Sequence, residues 1–105
     1  MSAERYNDGK LEWSLLDYES LTPLVEVMMY GCHKYTRDNW KKGFPKEKLI
    51  DSLLRHALAL ADGEEIDPEN NIHHIGGIMF NAMAYYHQEV LKKTIKQEDN
   101  LSLLK

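Results

Sequence analysis

The sequence IHHIGGIMFNAMAYYHQEVLKK, residues 72–93, carries the strongest signal for the fold of this chain. Apolar and small side chains recur in it every three or four residues, which predicts one long α-helix with a buried face. Two adjacent glycines, Gly76 and Gly77, each weaken a helix by roughly 1 kcal/mol relative to alanine. Their presence indicates a close approach, either of another helix or of a ligand. The predicted buried face consists of Ile75, Ile78, Met79, Ala82, Met83, Tyr86 and Val90.

Two further helices are predicted upstream by the same periodicity. Thr22-Pro23 is a typical helix start, and the first helix carries apolar or small residues as far as Tyr35. The second covers about residues 46–62 and ends at Gly63, a residue favoured just after a helix. Residues 38–45 and 63–71 are predicted loops, and no β-type alternation of useful length is present. The predicted fold class is all-α, a small bundle of about three main helices.

The chain has 105 residues, which corresponds to one domain. We expect a flexible polar arm over residues 1–10, a helical domain over 11–95 and a polar tail over 96–105. A domain of this size buries a limited share of its surface. Self-association is therefore expected.

Charge and cysteine content exclude several classes of protein. The net charge of −4, without a basic block, argues against non-specific binding to a nucleic acid polymer. A nucleotide ligand is not excluded, because a metal ion can supply the positive charge. The single cysteine, Cys32, cannot form an intramolecular disulfide. The first ten residues lack the apolar part of a signal peptide, and no apolar run approaches the ~20 residues of a membrane span. These features predict a cytoplasmic protein that does not enter membranes.

Four carboxylates lie within six residues of the second loop: Glu64, Glu65, Asp67 and Glu69. Hard cations such as Mg²⁺ and Mn²⁺ prefer carboxylate oxygens. On charge alone, however, a solvated acidic turn is the commoner explanation.

A polar stripe flanks the predicted core face of the third helix. Helical spacing places His74, Gly77, Asn81 and Gln88 along one side of it, as expected at the edge of a cleft. Gly77 would let a base or a phosphate approach the backbone. The alternative is that His74 only begins the helix and Asn81 is solvated, and the spacing does not separate the two.

Cationic and aromatic residues complete the candidates. On the second helix, Arg55-His56 provides a guanidinium suited to phosphate, although Arg55 could equally pair with a surface carboxylate. Beyond the first helix, Asn39-Trp40 provides an amide and an aromatic ring that could stack on a base, or that could simply anchor a loop. Lys34-Tyr35 precedes this pair and adds a cation for phosphate and a second ring.

In chain order, these features form a combination that is more specific than any of them alone. It consists of Leu11-Glu12-Trp13-Ser14-Leu15-Leu16, Gly31-x-x-Lys34-Tyr35-x-x-x-Asn39-Trp40-x-x-Gly43, Arg55-His56, Gly63-Glu64-x-x-Asp67-x-Glu69, His74 and Asn81. The combination resembles the phage and bacterial family described as dATP/dGTP diphosphohydrolase-like, which is grouped with the MazG-like all-α NTP pyrophosphohydrolases. The resemblance covers about residues 10–90.

The resemblance implies a helical bundle that forms a homo-oligomer, a dimer or a tetramer, with sites between facing helices. It implies hydrolysis of purine (deoxy)nucleoside triphosphates to the monophosphate and pyrophosphate with Mg²⁺ or Mn²⁺, an activity that phages can use to adjust a nucleotide pool. It implies metal ligation by Glu64, Asp67 and Glu69, and catalysis by Glu64, Asp67 and His74. It implies substrate binding by Lys34, Tyr35, Asn39, Trp40, Arg55, His56 and Asn81, with both histidines as further candidates for ligands or proton carriers.

Two departures from the family pattern keep an alternative open. Many relatives have a histidine where this chain has Gly77, and the third helix has no acid between His73 and Gln88. The better-known MazG-like enzymes carry pairs of acids on their helices. The alternative function is therefore a non-catalytic protein that sequesters a nucleotide, and the least specific one is a helical scaffold without a ligand.

Overall fold

The structure is a computed structural model that describes residues 3–4 and 8–93. Three α-helices dominate it: α1 (Thr22–Lys34), α2 (Lys46–Ala61) and α3 (His74–Tyr86). Short 3-10 helices cover Trp13–Leu15, Tyr18–Leu21 and Asn39–Lys42, and a π-helical turn over His87–Leu91 extends α3. The predicted small all-α bundle is confirmed. The predicted C-terminal tail lies outside the described residues, as do positions 1–2 and 5–7 of the predicted arm.

Helix α3 packs against both α1 and α2. Its approach to α1 is close at Gly76, where a Cβ atom would lie 2.4 Å from the Pro23 carbonyl oxygen and 3.0 Å from Val27 Cγ2. Only a residue without a side chain fits there. The close approach expected at Gly76 is therefore a helix–helix contact.

The predicted acidic loop is partly a two-stranded hairpin. Strand β1 (Ile66–Asp67) pairs antiparallel with β2 (Ile72–His73), with Ile66 opposite His73. Each strand has two residues, too few for an alternating pattern to be visible in the sequence. The stop at Gly63 is confirmed: its φ is 87°, and the Gly63 and Glu64 N–H groups donate to the Leu60 and Ala59 carbonyls. This Schellman-type ending turns the chain from α2 into the hairpin.

The buried face of α3 differs from the predicted one. His74, Gly76, Gly77, Asn81 and Ala84 are buried, whereas four members of the predicted face are exposed, namely Ile75, Ala82, Tyr86 and Val90. The physical reason is that α3 is apolar on most sides, so periodicity alone does not select a face. Small residues let α1 and α2 approach closely, and their face is the one that packs.

The hydrophobic core of the described residues is thin. Only Leu49, Ile72 and Ala84 are buried among the hydrophobic side chains. Three α2 side chains spaced by four residues point outward: Ile50, Leu54 and Leu58 are 42%, 51% and 66% exposed. They form an outward stripe on α2. Within the described ranges, no helix is long and apolar enough to span a bilayer.

Candidate functional site

The candidate site lies where α2, the hairpin and the start of α3 meet. A cavity of about 290 Å³, here named the histidine cavity, opens between these elements. Its polar lining residues are Lys48, Ser52, His56, Asp67, Glu69, Asn70, His73 and Asn81. Lys48, Ser52 and His56 are four residues apart, so one face of α2 carries all three.

A chain of hydrogen bonds joins the two histidines to a carboxylate. His74 Nε2 lies 2.8 Å from Glu64 Oε1, and His74 Nδ1 lies 2.8 Å from His56 Nδ1. A carboxylate only accepts, so neutral His74 donates from Nε2 and its Nδ1 accepts the proton of His56 Nδ1. The His74 side chain is 6% exposed, so this network also satisfies a buried polar group.

The surroundings of His56 favour its uncharged form. Burial lowers the pKa of His56 below its ordinary value of 6.5, and the neighbouring His74 lowers it further, while Asp67 acts in the opposite direction. A neutral imidazole retains a lone pair, which is the form that binds metal ions.

Asp67 uses its two oxygens differently. Oδ1 accepts a hydrogen bond from the Glu69 N–H at 2.9 Å, which fixes the turn of the hairpin. Oδ2 lies 4.0 Å from His56 Nδ1, and the side chain is 14% exposed. One ligand atom from each of His56, Asp67 and His74 lies within 4.8 Å of the other two, so these three residues could hold a metal ion.

Glu69 lies between this cavity and a second one. Its Oε1 is 3.9 Å from Lys34 Nζ at the end of α1, and both side chains are about half exposed or more. An exposed pair of this kind contributes little stability. Either side chain can therefore leave this ion pair and contact a ligand instead.

The second cavity, here named the aromatic cavity, has a volume of about 380 Å³. It adjoins the histidine cavity, because Val27, Phe44, Ser52, Glu69 and Phe80 line both. Its lining includes Lys34, Tyr35, Asn39 and Trp40, which the sequence analysis singled out. The Trp40 ring packs against Phe80 at 6.2 Å and against His87 at 5.0 Å between ring centroids.

Asn81 is buried, so the alternative that it is a solvated surface residue is wrong. Its Nδ2 donates to the Gly77 carbonyl at 2.7 Å and to Ser52 Oγ at 3.0 Å. Ser52 is not among the site residues predicted from the sequence, although its position four residues before His56 places it on the same face of α2.

Gly77 makes room for His56. A Cβ at this position would lie 2.4 Å from His56 Nε2 and 2.5 Å from its Cδ2. The close approach at Gly77 is therefore made by the side chain of His56. Any side chain at position 77 would need the ring of His56 to lie elsewhere.

Two placements complete the comparison with the sequence. Arg55 is exposed and is not among the residues that line either cavity. Gln88, expected at the edge of a cleft, holds the loop before α2. Its Oε1 accepts from the Phe44 N–H at 3.0 Å, and its Nε2 donates to the Phe44 carbonyl at 2.7 Å.

Comparison with known proteins places the chain among relatives. A family model for the N-terminal region of dATP/dGTP diphosphohydrolase matches residues 1–98. A protein of Salmonella phage PMBT28, named dATP/dGTP diphosphohydrolase, is 33% identical over 84 residues, which cover 76% of this chain and 29% of that relative. This chain thus spans less than a third of the length of the relative. No solved structure matches.

Proposed function

Because the chain belongs to the family of dATP/dGTP diphosphohydrolase N-terminal regions, we propose that it hydrolyses purine (deoxy)nucleoside triphosphates to the monophosphate and pyrophosphate. The observation that carries the proposal is the convergence of Lys34, His56, Asp67 and Glu69 at two adjoining cavities, with His74 hydrogen-bonded to His56 behind them. The two cavities offer a cation for phosphate, carboxylate and imidazole groups for a metal ion, and aromatic rings for a base. The name of the phage relative supports the same substrate class.

The two cavities would hold different parts of the nucleotide. The base would enter the aromatic cavity, where Trp40 and Tyr35 offer rings and Asn39 offers an amide. The phosphates would lie towards Lys34 and Glu69, because both cavities meet there. Lys34 would leave Glu69 and pair with a phosphate oxygen, exchanging one weak exposed ion pair for a stronger contact.

The proposed cofactor is a divalent ion, Mg²⁺ or Mn²⁺. When bound, such an ion neutralises phosphate charge and lowers the pKa of an attacking water. Asp67, His56 and His74 would hold it, since their ligand atoms converge. Glu64 orients His74 through Nε2. Glu69 lies in both cavity walls with an exposed carboxylate, so it can accept a proton from water.

We propose a homo-oligomer, a dimer or a tetramer, as the working form. Support comes from the thin core and from the outward stripe of Ile50, Leu54 and Leu58 on α2. Burying this apolar surface against a second copy would yield about 25 cal/mol per Å². Light scattering should give a mass above 12.3 kDa, the mass of one chain, and Leu54→Glu should return it to the monomer. A wild-type monomer at working concentration contradicts this part of the proposal.

In the cell, the proposed role is to adjust a nucleotide pool during phage infection, in the cytoplasm of the host. The phage origin of the relative supports this setting.

The test is to incubate each common NTP and dNTP with the protein and Mn²⁺ or Mg²⁺ and to separate products by anion exchange. Purine monophosphate and pyrophosphate are expected. Asp67→Asn should reduce turnover by about 100-fold or more while circular dichroism stays unchanged, and His33→Asn, which changes an exposed histidine of α1, serves as the matched control. Full activity of a folded Asp67→Asn variant contradicts the assignment.

A second candidate function is favoured by Gly77. Because residue 77 is a glycine and the ring of His56 fills the space beside it, α3 offers no further imidazole at this point of the site. The protein could then bind a nucleotide without hydrolysing it. Nucleotide binding that survives EDTA, with no product formed, would support sequestration over hydrolysis.

A further inference from the structure

We infer that His56, Asp67 and His74 form a site for a divalent transition metal, and that this site prefers such a metal to Mg²⁺. The inference deepens the proposed function by naming the class of metal in the same cavity. Metal binding as such does not require that the bound nucleotide be hydrolysed. The two statements can therefore fail separately.

The donor atoms decide the class of metal. Two imidazole nitrogens and one carboxylate oxygen converge within 4.8 Å. Imidazole suits borderline metals such as Zn²⁺, Co²⁺ and Ni²⁺, whereas Mg²⁺ takes oxygen ligands and keeps much of its water. The three carboxylates expected as metal ligands, Glu64, Asp67 and Glu69, do not converge on one point. Glu64 is hydrogen-bonded to His74, and Glu69 faces Lys34.

The spacing of the two nitrogens fits a metal after a small movement. His56 Nδ1 and His74 Nδ1 are 2.8 Å apart and share one proton. Two nitrogens on one tetrahedral metal, each about 2.05 Å from it, are about 3.3 Å apart. The rings must therefore separate by roughly half an ångström when a metal takes the place of that proton. The proton leaves Nδ1 of His56 for water and Nε2 of the same ring takes one up, so that His56 stays neutral and both Nδ1 atoms offer a lone pair. Asp67 Oδ2, 4.0 Å from His56 Nδ1, then completes three protein ligands.

Surrounding contacts already orient two of the three ligands. Glu64 holds the Nε2 side of His74, so that its Nδ1 faces His56. The Glu69 N–H holds Oδ1 of Asp67 and leaves Oδ2 free. Such outer contacts are typical of metal sites and set the tautomer and direction of the ligands. Three protein ligands also leave a position open for water or a phosphate oxygen, as in catalytic sites.

The experiment titrates tag-free protein with Co²⁺, followed by its visible d–d absorption and by calorimetry. One Co²⁺ per chain is expected, and about a hundredfold excess of Mg²⁺ should leave the spectrum unchanged. Asp67→Asn should weaken Co²⁺ binding at least about tenfold. This variant suits the test because the asparagine oxygen can still accept from the Glu69 N–H and preserve the turn. His56→Asn should have the same effect, and His33→Asn should leave the affinity within about twofold.

Three results would overturn the inference. They are the absence of Co²⁺ binding by folded wild-type protein, a wild-type Co²⁺ affinity in both Asp67→Asn and His56→Asn, and displacement of Co²⁺ by equimolar Mg²⁺. Site-dependent Co²⁺ binding without turnover of any triphosphate would leave the inference standing and defeat the proposed hydrolysis. Mg²⁺-supported turnover without a cobalt site would do the reverse.

Discussion

Replacing Gly77 by alanine separates the stability of the fold from the integrity of the site. The added Cβ would lie 2.4 Å from His56 Nε2, whereas ordinary contacts begin at 3.4 Å, so the ring must retreat from α3 by about 1 Å. His74 lies one turn earlier on the same helix. The distance between the two Nδ1 atoms, now 2.8 Å, would grow to about 3.8 Å and the hydrogen bond would break.

The effects on stability nearly cancel. Alanine favours the helix by about 1 kcal/mol over glycine, and loss of the hydrogen bond costs about 1 kcal/mol. The displaced group is the end of a rotatable side chain, so little strain is added. We expect the free energy of unfolding of Gly77→Ala to lie within about 1 kcal/mol of the wild type, while its Co²⁺ affinity falls at least about tenfold.

Urea denaturation and Co²⁺ titration of the same samples measure both effects. Gly31→Ala is the matched control, because a Cβ at Gly31 of α1 meets nothing within 4 Å. It should gain up to about 1 kcal/mol and bind Co²⁺ as the wild type does. Gly76→Ala should instead lose about 1–3 kcal/mol, because the Pro23 carbonyl it meets is backbone. A Gly77→Ala protein that binds Co²⁺ within twofold of the wild type would refute the reasoning.

Three further predictions concern pH, a loop contact and the base. Because burial lowers the pKa of His56, the unfolded chain binds more protons than the folded one as the pH falls below 6.5. Metal-free protein should therefore lose thermal stability from neutral pH to about pH 5.5. His56→Gln should lose less, and equal losses in the two proteins would contradict this reasoning. Gln88→Ala removes both hydrogen bonds to Phe44 and should cost about 1–2 kcal/mol in urea denaturation, whereas an unchanged midpoint would show that the contact contributes nothing. Trp13→Phe leaves Trp40 as the sole tryptophan, so its emission should change when a purine nucleotide binds, and constant emission at saturation would place the base elsewhere.

Much of the architecture could be predicted from local signals. The stop at Gly63 follows from backbone conformation, since its φ of 87° suits glycine. The glycine pair correctly indicated close approach. At Gly76 the partner is a helix, as one of the two expectations held, whereas at Gly77 the ring of His56 occupies the space expected for a base or a phosphate. The hairpin was missed, because two-residue strands carry no periodic signal.

The candidate site was predicted as a set of residues rather than as an arrangement. Helical spacing placed His74, Gly77 and Asn81 on one side of α3, beside the predicted core face, and in the structure all three are buried. It did not predict that His56, eighteen residues from His74 in sequence, would share a hydrogen bond with it. Nor did it select Ser52, whose hydroxyl accepts from Asn81.

Signals between neighbours along the chain were enough to predict three helices, the stop of α2 at Gly63 and the family to which the chain belongs. Which side of α3 is buried depends on tertiary packing, because a helix that is apolar on most sides packs by the size of its residues. Tertiary packing also settles which metal-ligand atoms lie close together. Glu64 turns to His74, and Asp67 turns one oxygen towards His56. Distances of this kind depend on how helices pack, and periodicity contains no information about them.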